Sequence, residues 1–343
     1  MTTSVNKANL TDTFGRPLRD LRVSVTDRCN FRCVYCMPAE IYGERYEFLP
    51  KPELLTFEEI ARLTGILVRF GVKKVRLTGG EPLVRAGIEV LVEMLSNIAA
   101  VEDLTLTTNG FLLSQKARVL KEAGLQRVTV SMDTLDEEIF KVMNGRGYGT
   151  HQVLKGIDAA ALEGFGPIKI NAVVKKGVND HTIVDLARHF KGTGHIVRFI
   201  EYMDVGNLNG WNMDHVLSSS EVVERIDAVF PLEPIGSNYF GEVAARYQYR
   251  DGTGEIGVIS SVTTPFCGQC TRARLSPNGE LYTCLFAGNG FDLKAPLRKG
   301  ANDSELTDLV ANLWGARNDQ YSELRSRFTG SQPKKIEMYQ IGG

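Results

Sequence analysis

The sequence has little excess of either charge, and it contains no internal repeat or low-complexity segment. Its 343 residues carry 40 Lys and Arg against 41 Asp and Glu, which gives a formal net charge of −1. Proteins that coat nucleic acid or bind anionic membranes usually carry a basic excess. The charge balance therefore argues against both of these partners, although one small anionic ligand remains compatible with it.

Long apolar runs are also absent. No stretch approaches the ~18 uncharged apolar residues that a membrane-spanning helix needs. The first residues, Met-Thr-Thr-Ser-Val-Asn-Lys, contain no apolar run of signal-peptide length, so we expect a cytoplasmic protein without a membrane span. The proportions of hydrophobic residues, 43%, and of charged residues, 24%, are those of an ordinary globular protein of one large or two ordinary domains.

The first two thirds of the chain alternate between β-branched runs and helical patterns. The runs are 21–27, 74–80, 104–110, 127–133, 168–174 and 197–203, and the clearest helical patterns are 56–70, 87–98, 114–123 and 136–143. This alternation predicts an α/β fold with a parallel sheet. Because six strands are fewer than a complete barrel needs, we predict a partial, six-stranded parallel β/α barrel over residues 1–207. This alternation ends after residue 207, and residues 208–343 are predicted to form a smaller, cluster-binding C-terminal region.

Several predicted strands end in small or polar residues, at 78–81, 107–110 and 131–133. Active sites of parallel β/α barrels lie at the carboxyl ends of the strands. We therefore expect ligand contacts at these three places.

Six cysteines fall into two groups of three. The first is Cys29, Cys33 and Cys36, a C-x3-C-x2-C pattern directly after the first predicted strand, and the second is Cys267, Cys270 and Cys284. In a long chain without an export signal, such cysteines are better interpreted as metal ligands than as disulfides.

Zinc and iron–sulfur clusters are the two alternatives for these triplets. A structural zinc ion takes four ligands, but neither triplet has a fourth cysteine, and the five histidines are distant in sequence. Folding could still bring a histidine close. Three thiolates on a four-iron cluster leave one iron open to another ligand, so two such triplets favour open-site clusters.

The first triplet, with Tyr35 before its last cysteine, resembles the signature of radical S-adenosylmethionine (SAM) enzymes. The segment Gly79-Gly80-Glu81-Pro82 is similar to the GGEP motif of that superfamily, whose backbone holds the amino group of the cofactor. The resemblance implies a partial barrel and a [4Fe–4S] cluster whose open iron chelates SAM. One-electron cleavage of SAM then yields a 5′-deoxyadenosyl radical.

The second triplet narrows the resemblance to the GTP 3′,8-cyclases of molybdenum cofactor biosynthesis. The similarity lies in segments 21–22, 74–78, 198–203, 266–275 and 279–285 and in the final Gly-Gly, while segment 41–50 is longer than we expect of that family. It implies that GTP becomes (8S)-3′,8-cyclo-7,8-dihydroguanosine 5′-triphosphate: the radical abstracts the ribose C3′ hydrogen, and C3′ attacks guanine C8. It also implies an electron donor and a downstream cyclic pyranopterin monophosphate synthase as partners. A monomer and a homodimer both remain open.

The same resemblance assigns roles to individual residues. Each triplet would hold one [4Fe–4S] cluster, and the open iron of the second would face the guanine. The SAM contacts would be Tyr35, Gly80, Ser131 and Met203. The GTP contacts would be Arg22, Arg76, Thr107, Lys169, Arg272, Ala273 and Arg274. Arg22 would also be catalytic and assist the final reduction, and Gly342 and Gly343 would reach into the site.

Each assignment has a plainer alternative. Tyr35 and Met203 could be core residues, Gly80 a turn residue, and most arginines lie on protein surfaces. Arginine nevertheless suits a triphosphate, because its planar guanidinium binds two phosphate oxygens at once, and Arg272 and Arg274 would share one face of an extended segment.

Two other functions compete with the cyclase. The first is a peptide-modifying radical SAM maturase with an auxiliary cluster, but similar maturases usually carry more C-terminal cysteines than the three found here. The second is a zinc-stabilised binding module, for which a barrel with polar strand ends is an unusual scaffold.

Overall fold

A computed structural model of the chain describes residues 10–325 and 334–342. Within these residues twelve strands form one sheet, with helices packed along it. The strands are β1 (Asp20–Ser24), β2 (Lys74–Thr78), β3 (Asp103–Thr108), β4 (Arg127–Ser131), β5 (Lys169–Val174), β6 (Ile196–Glu201), β7 (Leu232–Ile235), β8 (Ala245–Tyr249), β9 (Glu255–Ile259), β10 (Arg272–Leu275), β11 (Glu280–Tyr282) and β12 (Phe291–Asp292). The helices are α1 (Phe57–Leu67), α2 (Ile88–Ser96), α3 (Leu113–Glu122), α4 (Glu137–Asn144), α5 (His151–Leu162), α6 (Ile183–Phe190), α7 (Ser219–Asp227), α8 (Lys294–Arg298), α9 (Asp303–Gly315), α10 (Tyr321–Leu324) and α11 (Met338–Ile341).

The strands β1 to β6 pair in chain order and in parallel, as the alternating pattern predicted. The C-terminal region then adds one parallel strand at each side, with β10 beside β1 and β9 beside β6. Antiparallel strands complete both edges, and in the described chain those edges do not pair with each other, so the barrel is open. The boundary at 207/208 stays a prediction, and the sheet runs without interruption across it.

Local sequence signals set the ends of several elements. The Thr56 hydroxyl accepts a hydrogen bond from the Glu59 backbone, and the Glu59 carboxylate accepts one from the Thr56 backbone, so the two residues form a capping box at the start of α1. After α1, a short 3₁₀ turn ends at Gly71 with a φ of 104°, a conformation that glycine adopts without steric cost.

Alternation along the parallel strands separates an apolar face from a polar one. Leu21 and Val23 on β1, like Val75 and Leu77 on β2, are buried in the main hydrophobic core. Burying such a side chain contributes about 1.5–3 kcal/mol, which fixes the register of each strand. The residues between them must face the barrel interior, so the register of the core places the site. No helix in the described ranges combines the length and apolar character that crossing a bilayer requires.

Candidate active site

Three arginines from neighbouring strands lie side by side in the barrel interior. Arg22 on β1 is in register with Arg76 on β2 and with Arg274 on β10. Arg272 lies two residues before Arg274, and because side chains alternate along a strand, it faces the same interior. These four arginines line one cavity, as the sequence reasoning predicted for the Arg272 and Arg274 pair.

Polar residues continue this row across the sheet. The Arg76 guanidinium donates hydrogen bonds to Thr107 Oγ1 at 2.8 Å and to Thr129 Oγ1 at 3.1 Å. On the next strands, Arg198 Nε donates to Asn171 Oδ1 at 2.9 Å, and both residues line the cavity. Sequence reasoning did not assign Arg198 or Asn171 to the site. Alternation could have found Arg198, which lies between two buried apolar residues on β6.

The cavity holds more positive charge than nearby carboxylates neutralise. Burial, followed by the charges of Arg274 and Arg76, lowers the pKa of Arg22 well below its usual value. Burial also lowers the pKa of Arg198 and of Arg274 to about 9, with neighbouring arginines adding to the effect. Lys169 has its pKa lowered to about 7 by burial and then by Arg198. Several buried cations in one space repel each other, and a polyanionic ligand would relieve that repulsion.

The second cysteine triplet shares this cavity. Cys267, Cys270 and Cys284 are free thiols, and all three line it. Cys270 Sγ accepts a hydrogen bond from Arg272 Nη2 at 3.3 Å. Although burial opposes ionisation, Arg272 and Arg317 lower the pKa of Cys270 to about 6. Cys270 is therefore ready to bind a metal as a thiolate.

The first triplet lies in the loop that follows β1. Its three thiols are free, and the Cys36 backbone donates to the Cys33 carbonyl at 2.9 Å, which folds the loop back on itself. Burial raises the pKa of Cys29 to about 12 and raises those of Cys33 and Cys36, and the thiolates also repel one another. Such mutual repulsion requires the three sulfurs to be near each other, and a bound cationic metal group would offset it.

Both triplets fit iron–sulfur clusters by the chemistry of their donors. In the described chain no three His, Cys, Asp or Glu side chains converge as a single metal ion requires. A cubane cluster makes a different demand, because each thiolate binds a separate iron.

The residues predicted to contact SAM lie at the carboxyl ends of strands. The Tyr35 hydroxyl donates to Asp133 Oδ2 at 2.9 Å, two residues beyond Ser131 at the end of β4. The Gly80 backbone donates to the Thr26 carbonyl at 2.7 Å, and a Cβ added at Gly80 would lie 2.3 Å from the Arg28 carbonyl. Glycine is therefore required where this turn passes the loop of the first triplet.

Sequence reasoning missed Glu81, the acidic residue of the GGEP segment. Its buried carboxylate accepts hydrogen bonds from Thr108 Oγ1 and the Asn109 backbone, both at 2.7 Å, which ties the end of β2 to the end of β3. Burial raises the pKa of Glu81 to about 7. A buried acidic residue within a turn motif was the signal available in the sequence.

Not every predicted residue reaches the arginine-lined cavity. Met203, Arg22, Arg76, Thr107, Arg272 and Arg274 line it, whereas Tyr35, Gly80, Ser131, Lys169 and Ala273 are outside its lining in the described chain. Ala273 is fully buried in the hydrophobic core, because it alternates with Arg272 and Arg274 on β10. A binding role for the Ala273 side chain is therefore not supported.

The described part of the C-terminal tail reaches the barrel interior at Gly342. Gly342 is buried with a φ of 70°, and a Cβ there would lie 2.1 Å from Thr78 Cγ2. Its partner in the predicted pair, Gly343, lies outside the described residues. Tyr339 on α11 packs against Tyr42 with ring centroids 5.0 Å apart, and its hydroxyl lies 2.8 Å from that of Tyr46. Segment 41–50, the longer loop, therefore contacts the tail.

Comparisons with known proteins agree on one group of enzymes. The Radical SAM superfamily model matches residues 23–190, and the Molybdenum Cofactor Synthesis C model matches residues 195–323. A curated GTP 3′,8-cyclase from Acidothermus cellulolyticus is 50% identical to this chain, with 97% of this chain and 98% of that protein covered. A GTP 3′,8-cyclase from Staphylococcus epidermidis is 48% identical, with coverage of 98% and 100%.

Solved structures give a more distant likeness. Streptococcus suis SuiB bound to precursor peptide SuiA matches with a TM-score of 0.61 and 16% identity, over 90% of this chain and 66% of that one. At this identity the likeness shows the fold alone. It agrees with the α/β fold and the open parallel array of strands described above.

Proposed function

This chain belongs to the GTP 3′,8-cyclase family of radical SAM enzymes, and from that membership we propose that it converts GTP to (8S)-3′,8-cyclo-7,8-dihydroguanosine 5′-triphosphate. As a radical SAM enzyme of molybdenum cofactor biosynthesis it uses S-adenosylmethionine and an iron–sulfur cluster. The precise product and a second [4Fe–4S] cluster are parts of the proposal. The single observation that carries it is one cavity that joins Cys267, Cys270 and Cys284 to four interior arginines.

The cofactors supply the radical chemistry, and the protein supplies positions and charge. When bound, the first cluster and SAM would supply the radical chemistry by which the ribose C3′ hydrogen is removed and the bond between C3′ and guanine C8 is formed. Cys29, Cys33 and Cys36 would hold that cluster, and Tyr35, Gly80, Ser131 and Met203 would bind SAM. Cys267, Cys270 and Cys284 would hold the second cluster, which would bind the purine of GTP.

The arginine row would bind the triphosphate. Arg76 is already oriented by Thr107 and Thr129, and Arg272 is held by Cys270, so both are positioned before a ligand arrives. Charge-assisted hydrogen bonds are stronger than neutral ones, and donors that are already in position lose less entropy when the ligand binds. Lys169 would join them from β5, because burial and then the charge of Arg198, which lines the cavity, lower its pKa.

Arg22 would act nearest to the reacting atoms, since it is the central member of the row, between Arg76 and Arg274. We assign it the task of donating or orienting a proton when the cyclised purine radical is reduced. An electron donor and the downstream cyclic pyranopterin monophosphate synthase remain predicted partners.

The proposal is tested by anaerobic incubation with SAM, dithionite and GTP. We expect 5′-deoxyadenosine and the cyclised nucleotide together, from brown protein that holds about eight irons per chain. ATP in place of GTP should give no cyclised product. The variant C267A/C270A/C284A should retain about four irons and form no cyclised nucleotide.

The peptide-modifying maturase gives a different result in the same assay. SAM cleavage stimulated by a peptide but not by GTP would favour that alternative. A colourless protein with stoichiometric zinc would exclude both radical enzymes.

A further inference from the structure

Three buried side chains lie behind the second cysteine triplet: Asp12, Arg16 and Arg317, here called the Asp12 frame. Asp12 Oδ2 is 2.5 Å from Arg16 Nε and 3.1 Å from Arg317 Nη1. The exposed fraction of each of these side chains is 1% or less. Burying three charges this completely is expensive in free energy, so the arrangement calls for a function or a compensating set of hydrogen bonds.

The compensating hydrogen bonds go to the backbone of the cysteine loops. Arg16 Nη1 donates to the Cys267 carbonyl at 2.8 Å, and Arg317 Nη1 donates to the Cys270 carbonyl at 2.8 Å. Arg317 Nε donates to the carbonyl of Thr283, the residue before Cys284, at 3.1 Å. Each of the three cysteines is therefore held through its own carbonyl or that of its neighbour.

Other contacts fix the two arginines in turn. Trp314 Nε1 donates to the Arg16 carbonyl at 3.1 Å, and the Arg317 guanidinium lies 4.6 Å from the Trp314 ring centroid. Arg16 Nη1 also donates to the Asp319 carbonyl at 2.9 Å. The segment before β1 and the segment after α9 thus meet at the back of the triplet and brace it from outside the barrel sheet.

One hydrogen-bond donor of the frame has no partner in the described chain. Arg16 Nη2 is buried with no hydrogen-bond partner among the described residues, and Arg16 lines the same cavity as Cys267. Buried donors are rarely left unpaired, so an acceptor from a bound group is expected there. The charges of the two guanidinium groups are matched by two carboxylates, because Arg317 Nε also lies 3.4 Å from Asp319 Oδ2.

We propose that Asp12, Arg16 and Arg317 are positioning residues for the second triplet and raise the reduction potential of the cluster it holds. This inference rests on the proposed function, because it presupposes a cluster at Cys267, Cys270 and Cys284. Hydrogen bonds to the cysteine carbonyls fix the ligand positions. A hydrogen bond from the unpaired Arg16 Nη2 to the bound group would stabilise the reduced, more negative state of the cluster.

The test uses the full chain with C29A/C33A/C36A, so that all bound iron reports on the second triplet. Into this background we introduce Arg16→Lys, Arg317→Lys and Arg16→Gln. Lysine keeps the charge but loses the guanidinium fork, whereas glutamine loses the charge as well. The readouts are the rate of iron release to a chelator and the midpoint potential of the cluster.

We expect both lysine variants to release iron about 10–100-fold faster, the range for loss of a contact that orients a metal ligand. Arg16→Gln should also shift the potential to more negative values, while Arg16→Lys should shift it less. Arg62→Lys is the matched control, because Arg62 likewise binds a carboxylate, Asp303, and a carbonyl, that of Ala301, but on the exposed surface. It should change neither readout.

Unchanged iron release in both lysine variants would overturn the proposal, as would a potential insensitive to Arg16→Gln. If Arg16→Gln does not fold, the two charge-retaining variants still decide the positioning role. A parent protein that binds no iron at the second triplet would instead refute the proposed function. In the otherwise unaltered chain, both lysine variants should still cleave SAM, since the first triplet has no contact with the frame in the described residues.

Discussion

The Arg274 guanidinium donates a hydrogen bond to the carbonyl oxygen of Gly342, so the C-terminal tail meets the interior arginine row at β10. Arg274 therefore serves two purposes. It contributes charge to the cavity, and it fixes the position of Gly342. The tail and the substrate cavity are coupled through this one side chain.

Deleting Gly342 and Gly343 should lower cyclised product by about 100-fold or more, because small displacements of a positioned group cost that much. Both clusters should remain, because the two glycines are not among the cysteines predicted to hold them. The measurements are product formation and iron content. Gly342→Ala should act in the same direction, because the new Cβ would meet Thr78 Cγ2 at 2.1 Å. Partial recovery of activity in the double variant Gly342→Ala and Thr78→Ala would support the steric explanation. Full activity of the chain that lacks Gly342 and Gly343 would contradict a catalytic role of the tail.

Lys169 should make GTP affinity depend on pH. Its pKa is about 7 in the free protein, so the ammonium is present below that pH and is lost as pH rises through it. A bound triphosphate favours the charged form, so the GTP dissociation constant should rise by up to about tenfold per pH unit above 7. Equilibrium binding between pH 6 and about 9 measures this. Lys169→Arg, which stays charged, should flatten the profile, and an equally steep profile in that variant would assign the titration to another group.

Arg22→Ala should reduce turnover by about 10²–10³-fold, the usual effect of removing a donor that stabilises a reacting centre. Loss of one of several cations should weaken GTP binding less than it slows turnover. Formation of 5′-deoxyadenosine in the presence of GTP should persist, because the first triplet is untouched. Turnover at the level of the unaltered chain would exclude the assigned role.

Asp204→Asn should destabilise the protein by about 3–5 kcal/mol, the effect of breaking a buried ion pair. The Asp204 side chain is 2% exposed and accepts from the Tyr321 hydroxyl at 2.6 Å, Arg325 Nε at 3.0 Å and Lys335 Nζ at 3.2 Å. Denaturant unfolding measures the loss. Asp303→Asn breaks exposed pairs with Arg62 and Arg69 and should change the unfolding free energy by less than about 1 kcal/mol. Equal losses in the two variants would show that burial is not the cause.

The sequence by itself determined the local and patterned features. Six strands and the first helices followed from alternation and capping residues, because these depend on neighbours a few positions away. The two cysteine triplets were visible as spacing. The sharing of a face by Arg272 and Arg274 followed from the period of an extended strand.

Tertiary structure decided which of these features meet. β9 and β10 join the parallel array only through pairing with β6 and β1, which lie far away in the chain. The arrangement of Arg274 beside Arg22 and the approach of Arg317 to Asp12 are likewise contacts between distant segments. A sequence pattern records which face a side chain takes, whereas contacts between distant segments arise only when the sheet and its core assemble around them.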